Sequence, residues 1–236
     1  MIYPMYYFDP TYVLVLVGVV LSLLASARVK STFNKYSRMH NSRGITGAQA
    51  AQQVLYSAGI NDVRIERVAG NLTDHYDPRS KVLRLSDTVY GSTSVAAVGV
   101  AAHECGHAIQ HAKGYAPLQF RNVLVPVANF GAQIAWPLIL IGLVITSKSS
   151  SFLIDAGIIA FSLSVLFQIV TLPVEFNASN RAIRCIADTG MMYGDEIVAA
   201  KRVLGAAALT YVAGAAASIL QLLRLILLTG GRRRND

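Results

Sequence analysis

From Thr11 to Ala27 the chain carries no charged residue, and from Val123 to Ile145 it again carries none. Runs this long and this apolar are expected to cross a bilayer as helices. A third run, 152–172, holds a single acid, Asp155, and a fourth, 204–228, is interrupted by Gln221 and Arg224. The expected fold class is therefore an α+β membrane protein, mostly helical, with three or four transmembrane helices. The spans are placed at 11–29, 123–146 and 152–172. The second and third form a hairpin across the membrane, because the connector Thr146–Ser151 is short. Pro126 and Pro137 should kink the second span, which membrane helices tolerate. The stretch 204–228 is left open as a fourth span or an interfacial helix, with Arg224 expected to snorkel.

Charge placement orients the chain. No Lys or Arg precedes the first run, whereas Arg28, Lys30, Lys35, Arg38 and Arg43 come after it. The positive-inside rule then puts the N-terminus outside and the next domain in the cytoplasm of a multi-pass cell-membrane protein. Ala25-Ser26-Ala27 resembles a signal-peptidase site, but a signal peptide carries its positive charge before the apolar run. The net charge of +8 does not indicate nucleic acid. Its cations gather beside apolar segments, as in Arg28-Val29-Lys30 and Arg232-Arg233-Arg234, where anionic lipid of the bilayer is the expected partner. The 14% charged fraction lies far below the ~25% of soluble proteins. The two cysteines, Cys105 and Cys185, form no C-x-x-C pair, so neither a thiolate metal site nor a disulfide framework is indicated.

Residues 40–119 read as a compact mixed domain. Thr46 caps a helix to Ser57 that stops at Gly59. Strands are expected over Asn61–Val68 and Val82–Leu85, with a turn at Asp77-Pro78-Arg79-Ser80 between them. A long helix comes next, from a cap at Ser92 or Ser94 to Lys113, and its second half holds His103-Glu104-Cys105-Gly106-His107.

On a helix, residues four apart share a face, so His103 and His107 present two imidazoles to one metal ion. Glu104 lies beside them, placed to act on a water. Catalytic zinc usually takes three protein ligands and keeps one position open. Three residues compete for the third place. His111 is one turn further on, but three ligands at four-residue spacing converge poorly from a straight helix. Asp155, in a stretch faintly similar to the Leu-Asp-Gly motif of intramembrane zinc proteases, falls on the far side of the membrane. Glu175 emerges just after the third span, on the side of the catalytic helix, and is the preferred ligand within a helical segment placed at 174–203. The positions that would make the chain a metzincin hold Gln110 and Lys113, which excludes that class.

Three stretches carry a family resemblance: Asp74-His75-Tyr76-Asp77-Pro78, Ala101-Ala102-His103-Glu104-Cys105-Gly106-His107-Ala108-Ile109-Gln110, and Leu172-Pro173-Val174-Glu175-Phe176. With them the chain resembles the YugP-like family of membrane-bound neutral zinc metallopeptidases, distant relatives of the gluzincins that include the HtpX and Ste24-type proteases. The resemblance implies a small gluzincin-like catalytic domain, Zn2+ on His103, His107 and Glu175, Glu104 as catalytic base, and a peptide or protein substrate. Many gluzincins place an Asp four residues after the ligand Glu. Here that position is Ser179, with Asn177 and Asn180 as possible substitutes. For substrate binding or the oxyanion the candidates are His75, Tyr76, Arg181 and Tyr211, and the strand around Val82–Leu85 is expected to offer its edge to an extended peptide. Two rival readings stand beside this one: an intramembrane protease using Asp155, and a membrane scaffold with a structural zinc.

Overall fold

The structure, a computed structural model, describes residues 9–145 and 149–232, except the side chains at 149–150 and 230–232. The first half of the connector, 146–148, and Arg233 and Arg234 of the basic run lie outside these residues. The chain is mostly helical with one three-stranded sheet, the α+β membrane architecture expected. It divides into two compact units, one built on residues up to Leu24, Leu124–Ile169 and from Val212, the other on Ala25–Val123 and Val170–Tyr211.

Four long helices supply the first unit: α1 (Tyr12–Tyr36), α5 (Ala116–Val144), α6 (Ser149–Asp188) and α7 (Asp195–Arg232). All four are long and apolar enough to cross a membrane, the helix that contains 204–228 among them. Lipid offers no hydrophobic drive for helices to associate, so close backbone packing must supply it. A Cβ at Gly131 of α5 would lie 2.5 Å from the Ala160 carbonyl oxygen of α6, so glycine is needed for this approach. Further along, the Ser164 hydroxyl of α6 donates to the Ala128 carbonyl of α5 at 3.1 Å. Arg224 of α7 pairs with Asp9 at 3.2 Å and lies over the Tyr12 ring at 4.1 Å from its centroid, at the N-terminal end of α1. A carboxylate and an aromatic face are both favourable partners for a guanidinium.

The helices are longer than the apolar runs alone suggest. Segment 174–203 is not one element: α6 runs unbroken through Pro173 to Asp188, a short loop comes next, and α7 starts at Asp195. Pro173 forfeits one backbone hydrogen bond, a loss that membrane helices accommodate through their neighbours.

The second unit holds α2 (Gly47–Ser57), β1 (Arg64–Val68), β2 (His75–Asp77), β3 (Val82–Ser86), α3 (Asp87–Tyr90) and α4 (Val95–Ala112), with the adjoining parts of the long helices. A capping box starts α2. The Thr46 hydroxyl accepts from the Gln49 N–H at 3.3 Å, and the Gln49 side chain accepts from the Thr46 N–H at 2.9 Å. Ser94 caps α4 by accepting from the Ala97 N–H at 3.1 Å. Strand order is β1-β3-β2, with β1 parallel and β2 antiparallel to β3. This corrects one expectation: β3 is the inner strand, its backbone paired on both sides, so it has no edge for a peptide. Leu83 and Leu85 of β3 are fully buried against Val54, Val95, Val98, Ala101 and Cys105. The first half of α4 is therefore apolar because it is core. Cys105 is a packing residue there, and burial pushes its thiol well above the ordinary range.

Candidate metal centre

In α4 the four-residue spacing sets the rings of His103 and His107 4.8 Å apart at 86°. Glu175 comes from α6. Its Oε2 lies 3.3 Å from His103 Nε2 and 3.5 Å from His107 Nε2. Of the described residues, these three form the one cluster of potential ligand atoms, all within 4.8 Å of one another. His111 and Asp155 are outside it. His111 is instead paired through Nδ1 with the Tyr76 hydroxyl at 2.9 Å.

Convergence from two helices requires them to touch. A Cβ at Gly106 would stand 2.5 Å from the Ala178 carbonyl oxygen, so a glycine between the two histidines is what lets α6 come this close. The Gly106 position belongs to the site as much as its neighbours do.

The protons around the cluster can be placed. Gln110 is fully buried, and its Nε2 donates to the Val174 carbonyl at 2.8 Å and to Asn177 Oδ1 at 3.0 Å. Its Oε1 is then the atom 3.0 Å from His107 Nδ1, so Nδ1 must carry the proton and donate. His107 Nε2 is left with a bare lone pair facing the Glu175 carboxylate. On His103, Nδ1 meets the Ser179 hydroxyl at 3.0 Å, which can accept in the same way. Glu175 Oε2 is buried and makes no hydrogen bond. Lone pairs turned toward one another at 3.3–3.5 Å repel unless a proton or a metal ion lies among them. Two imidazoles and one carboxylate are a usual donor set for catalytic zinc, so the residues fit that ion.

The outer oxygen of Glu175 is held separately: Arg121 Nη1 donates to Oε1 at 3.1 Å. Sequence reasoning missed both Arg121 and Gln110. A signal existed for each. Arg121 is the lone charge between Lys113 and the charge-free run from Val123, and Gln110 sits one helical turn after a ligand candidate. Of the three polar residues considered after Glu175, Ser179 reaches a histidine, and Asn177 reaches Gln110 and Arg181.

Glu104 lies next to the cluster and is partly accessible. Its Oε2 accepts from the Tyr76 backbone N–H at 3.1 Å, which ties α4 to the edge strand β2. Burial pushes the Glu104 carboxyl above its ordinary value, and His103 and His107 oppose that shift. The stretch Asp74 to Pro78 shapes this edge. Asp74 accepts from the Ser86 N–H at 2.8 Å, and Asp77 accepts from the Arg79 N–H at 2.9 Å to close the turn.

The other candidates separate clearly. Tyr211 of α7 is near enough to Glu175 to interact with it electrostatically. His75 is exposed and bonds the Thr73 carbonyl at 2.9 Å, away from the cluster. Arg181 donates to Asn177 at 2.7 Å and lies over the Tyr115 ring. Tyr76 contributes its backbone N–H, with its hydroxyl turned to His111.

Span-length helices and a His-His-Glu cluster, with two members from the H-E-x-x-H helix α4 and one from α6, are features expected of a membrane metallopeptidase class. The family model described as "Putative neutral zinc metallopeptidase" matches residues 11–230, and the chain belongs to that family. It is 47% identical over 216 residues to "Putative membrane protease YugP" of Bacillus subtilis (strain 168), a match that covers 91% of this chain and 95% of that protein. No solved structure matches the chain.

Proposed function

We propose that this chain is a membrane-bound zinc endopeptidase in which His103, His107 and Glu175 hold the ion and Glu104 is the general base. The observation that carries the reading is the convergence of two imidazole nitrogens on a buried carboxylate oxygen that has no hydrogen bond of its own. Zinc, when bound, polarises the scissile carbonyl and acidifies a water. Glu104 accepts the proton of that water and returns it to the departing amine, so hydrolysis ends with a new carboxylate and a free amine. The Tyr76 N–H fixes Glu104 Oε2 and leaves Oε1 for this transfer. Of the candidate side chains, Tyr211, which interacts with Glu175, is assigned the role of donor to the developing oxyanion. β2 is the edge strand beside α4 and takes over from β3 as the edge that aligns an extended peptide.

A structural zinc is normally closed by four protein ligands, whereas this cluster has three with a carboxylate base alongside. That favours the enzyme over the scaffold. The test uses the full chain in detergent. Chelation should abolish cleavage of an unfolded protein substrate, and stoichiometric zinc should restore it. Cleavage that survives complete zinc removal would defeat the proposal.

We also place the catalytic unit in the cytoplasm. Four spans put both chain ends on one side and the catalytic unit on the other. The cations from Arg28 to Arg43 outweigh Lys148 and the C-terminal arginines, so the positive-inside rule favours this orientation. A cysteine at Tyr56, a 77% exposed position, should resist an impermeant maleimide in intact cells and react after permeabilisation. Labelling in intact cells would invert the topology.

A further inference from the structure

We infer that a groove between α6 and α7 in the catalytic unit seats one anionic phospholipid. The groove encloses about 410 Å³ and runs beside the metal centre, sharing Ser179 with it. Its two walls are antiparallel. α6 runs from Phe176, just past its apolar stretch, to Arg184, while α7 runs from Lys201 toward Leu209 and its own apolar stretch. The polar end of the groove is thus the end away from the apolar stretches, and the apolar end adjoins them.

The contents match that gradient. Arg184 and Lys201 line the polar end, both exposed, and neither has an ion pair or hydrogen bond among the described residues. Phe176 and Leu209 line the other end, large apolar side chains left 45% and 42% exposed. Gly205 stands between, with nothing within 4 Å of where a Cβ would be, and leaves the groove open along its length.

Three ligand chemistries can be compared. A free phosphate would meet the cations but leave the apolar end bare. A zwitterionic lipid would fill the apolar end but bring the cations no net charge. An anionic phospholipid satisfies both, with its headgroup on Arg184 and Lys201 and an acyl chain along Phe176 and Leu209. An extended peptide is disfavoured, because both walls are helices whose backbone groups are already bonded and present no edge. The site stands on the groove and on the span positions, and does not depend on the peptidase reading.

The test titrates spin-labelled phosphatidylglycerol into the full-length, zinc-loaded protein in uncharged detergent, with spin-labelled phosphatidylcholine as the reference. The wild type should bind phosphatidylglycerol more tightly. The double variant Arg184→Gln, Lys201→Gln should weaken that binding about thirty-fold, the usual worth of two interfacial cations. Gly205→Phe fills the groove from an open helix face and should abolish binding with both cations intact. Unchanged zinc content in these variants reports an intact fold. Glycerophosphate should not displace the lipid. Equal affinity for the two lipids, wild-type binding in both variants, displacement by glycerophosphate, or displacement by an unfolded protein substrate would each overturn the assignment.

Discussion

Glu104→Gln should lower peptide hydrolysis about a thousand-fold while leaving bound zinc unchanged. The two effects separate because Glu104 is not part of the ligand cluster. Glutamine keeps the size of glutamate, and its amide oxygen can still accept from the Tyr76 N–H that now fixes Oε2. What it loses is the capacity to take a proton from water. Removing an enclosed carboxyl whose ionised form is disfavoured by burial also costs little stability, so the variant should melt no lower than the wild type. Turnover should therefore fall with little change in KM, the signature of a group used in the transition state. The measurement is cleavage of an unfolded substrate alongside metal analysis of the same preparation. A scaffold with a structural zinc predicts no functional change from this substitution. Retention of activity within tenfold of the wild type would remove Glu104 from the role of base.

Much of this centre could be read from residue order, and the reasons are physical. His103, Glu104 and His107 are close in sequence, and a helix of fixed geometry converts their spacing into a shared face. Capping at Thr46 and Ser94 is also local chemistry, visible in the hydroxyl residue and the helix-forming run after it. Span length is set by bilayer thickness, so the four apolar runs were readable as well. Contacts made across the fold were not. β2 is three residues long and merges with a turn, so no alternation announces it, and without it β3 looked like an edge. Gln110 and Arg121 act on His107 and Glu175 across an approach that depends on Gly106 meeting Ala178, which no periodicity encodes. The break expected at Pro173 is absent because proline shapes a membrane helix more often than it ends one.

Glu175→Gln should remove the zinc response altogether. In the wild type, a bound ion stabilises the fold by mass action, about 2.7 kcal/mol at a hundred times its dissociation constant, so zinc should raise Tm. An amide oxygen is a weaker ligand than a carboxylate, and the variant loses the single ligand that α6 contributes. The loss in affinity should exceed the ~100-fold upper range for residues that merely orient a ligand. Gln110→Met supplies that lesser case, because it frees His107 Nδ1 but keeps all three ligands. It should weaken zinc by ~10–100-fold and leave a reduced Tm shift. Without metal, a proton takes the place of the ion: burial disfavours the His107 cation, but Glu175 beside it holds the imidazole above its ordinary value. Glu175→Gln removes the acceptor for that proton and the partner of Arg121, whose side chain is 23% exposed and keeps access to water. The apo variant should therefore melt at or below the apo wild type and gain nothing from added zinc. Asp155→Asn should leave the zinc-induced shift as it is in the wild type, since Asp155 lies outside the cluster. The opposite pattern, a zinc shift kept in Glu175→Gln and lost in Asp155→Asn, would move the metal away from Glu175 and return the intramembrane reading.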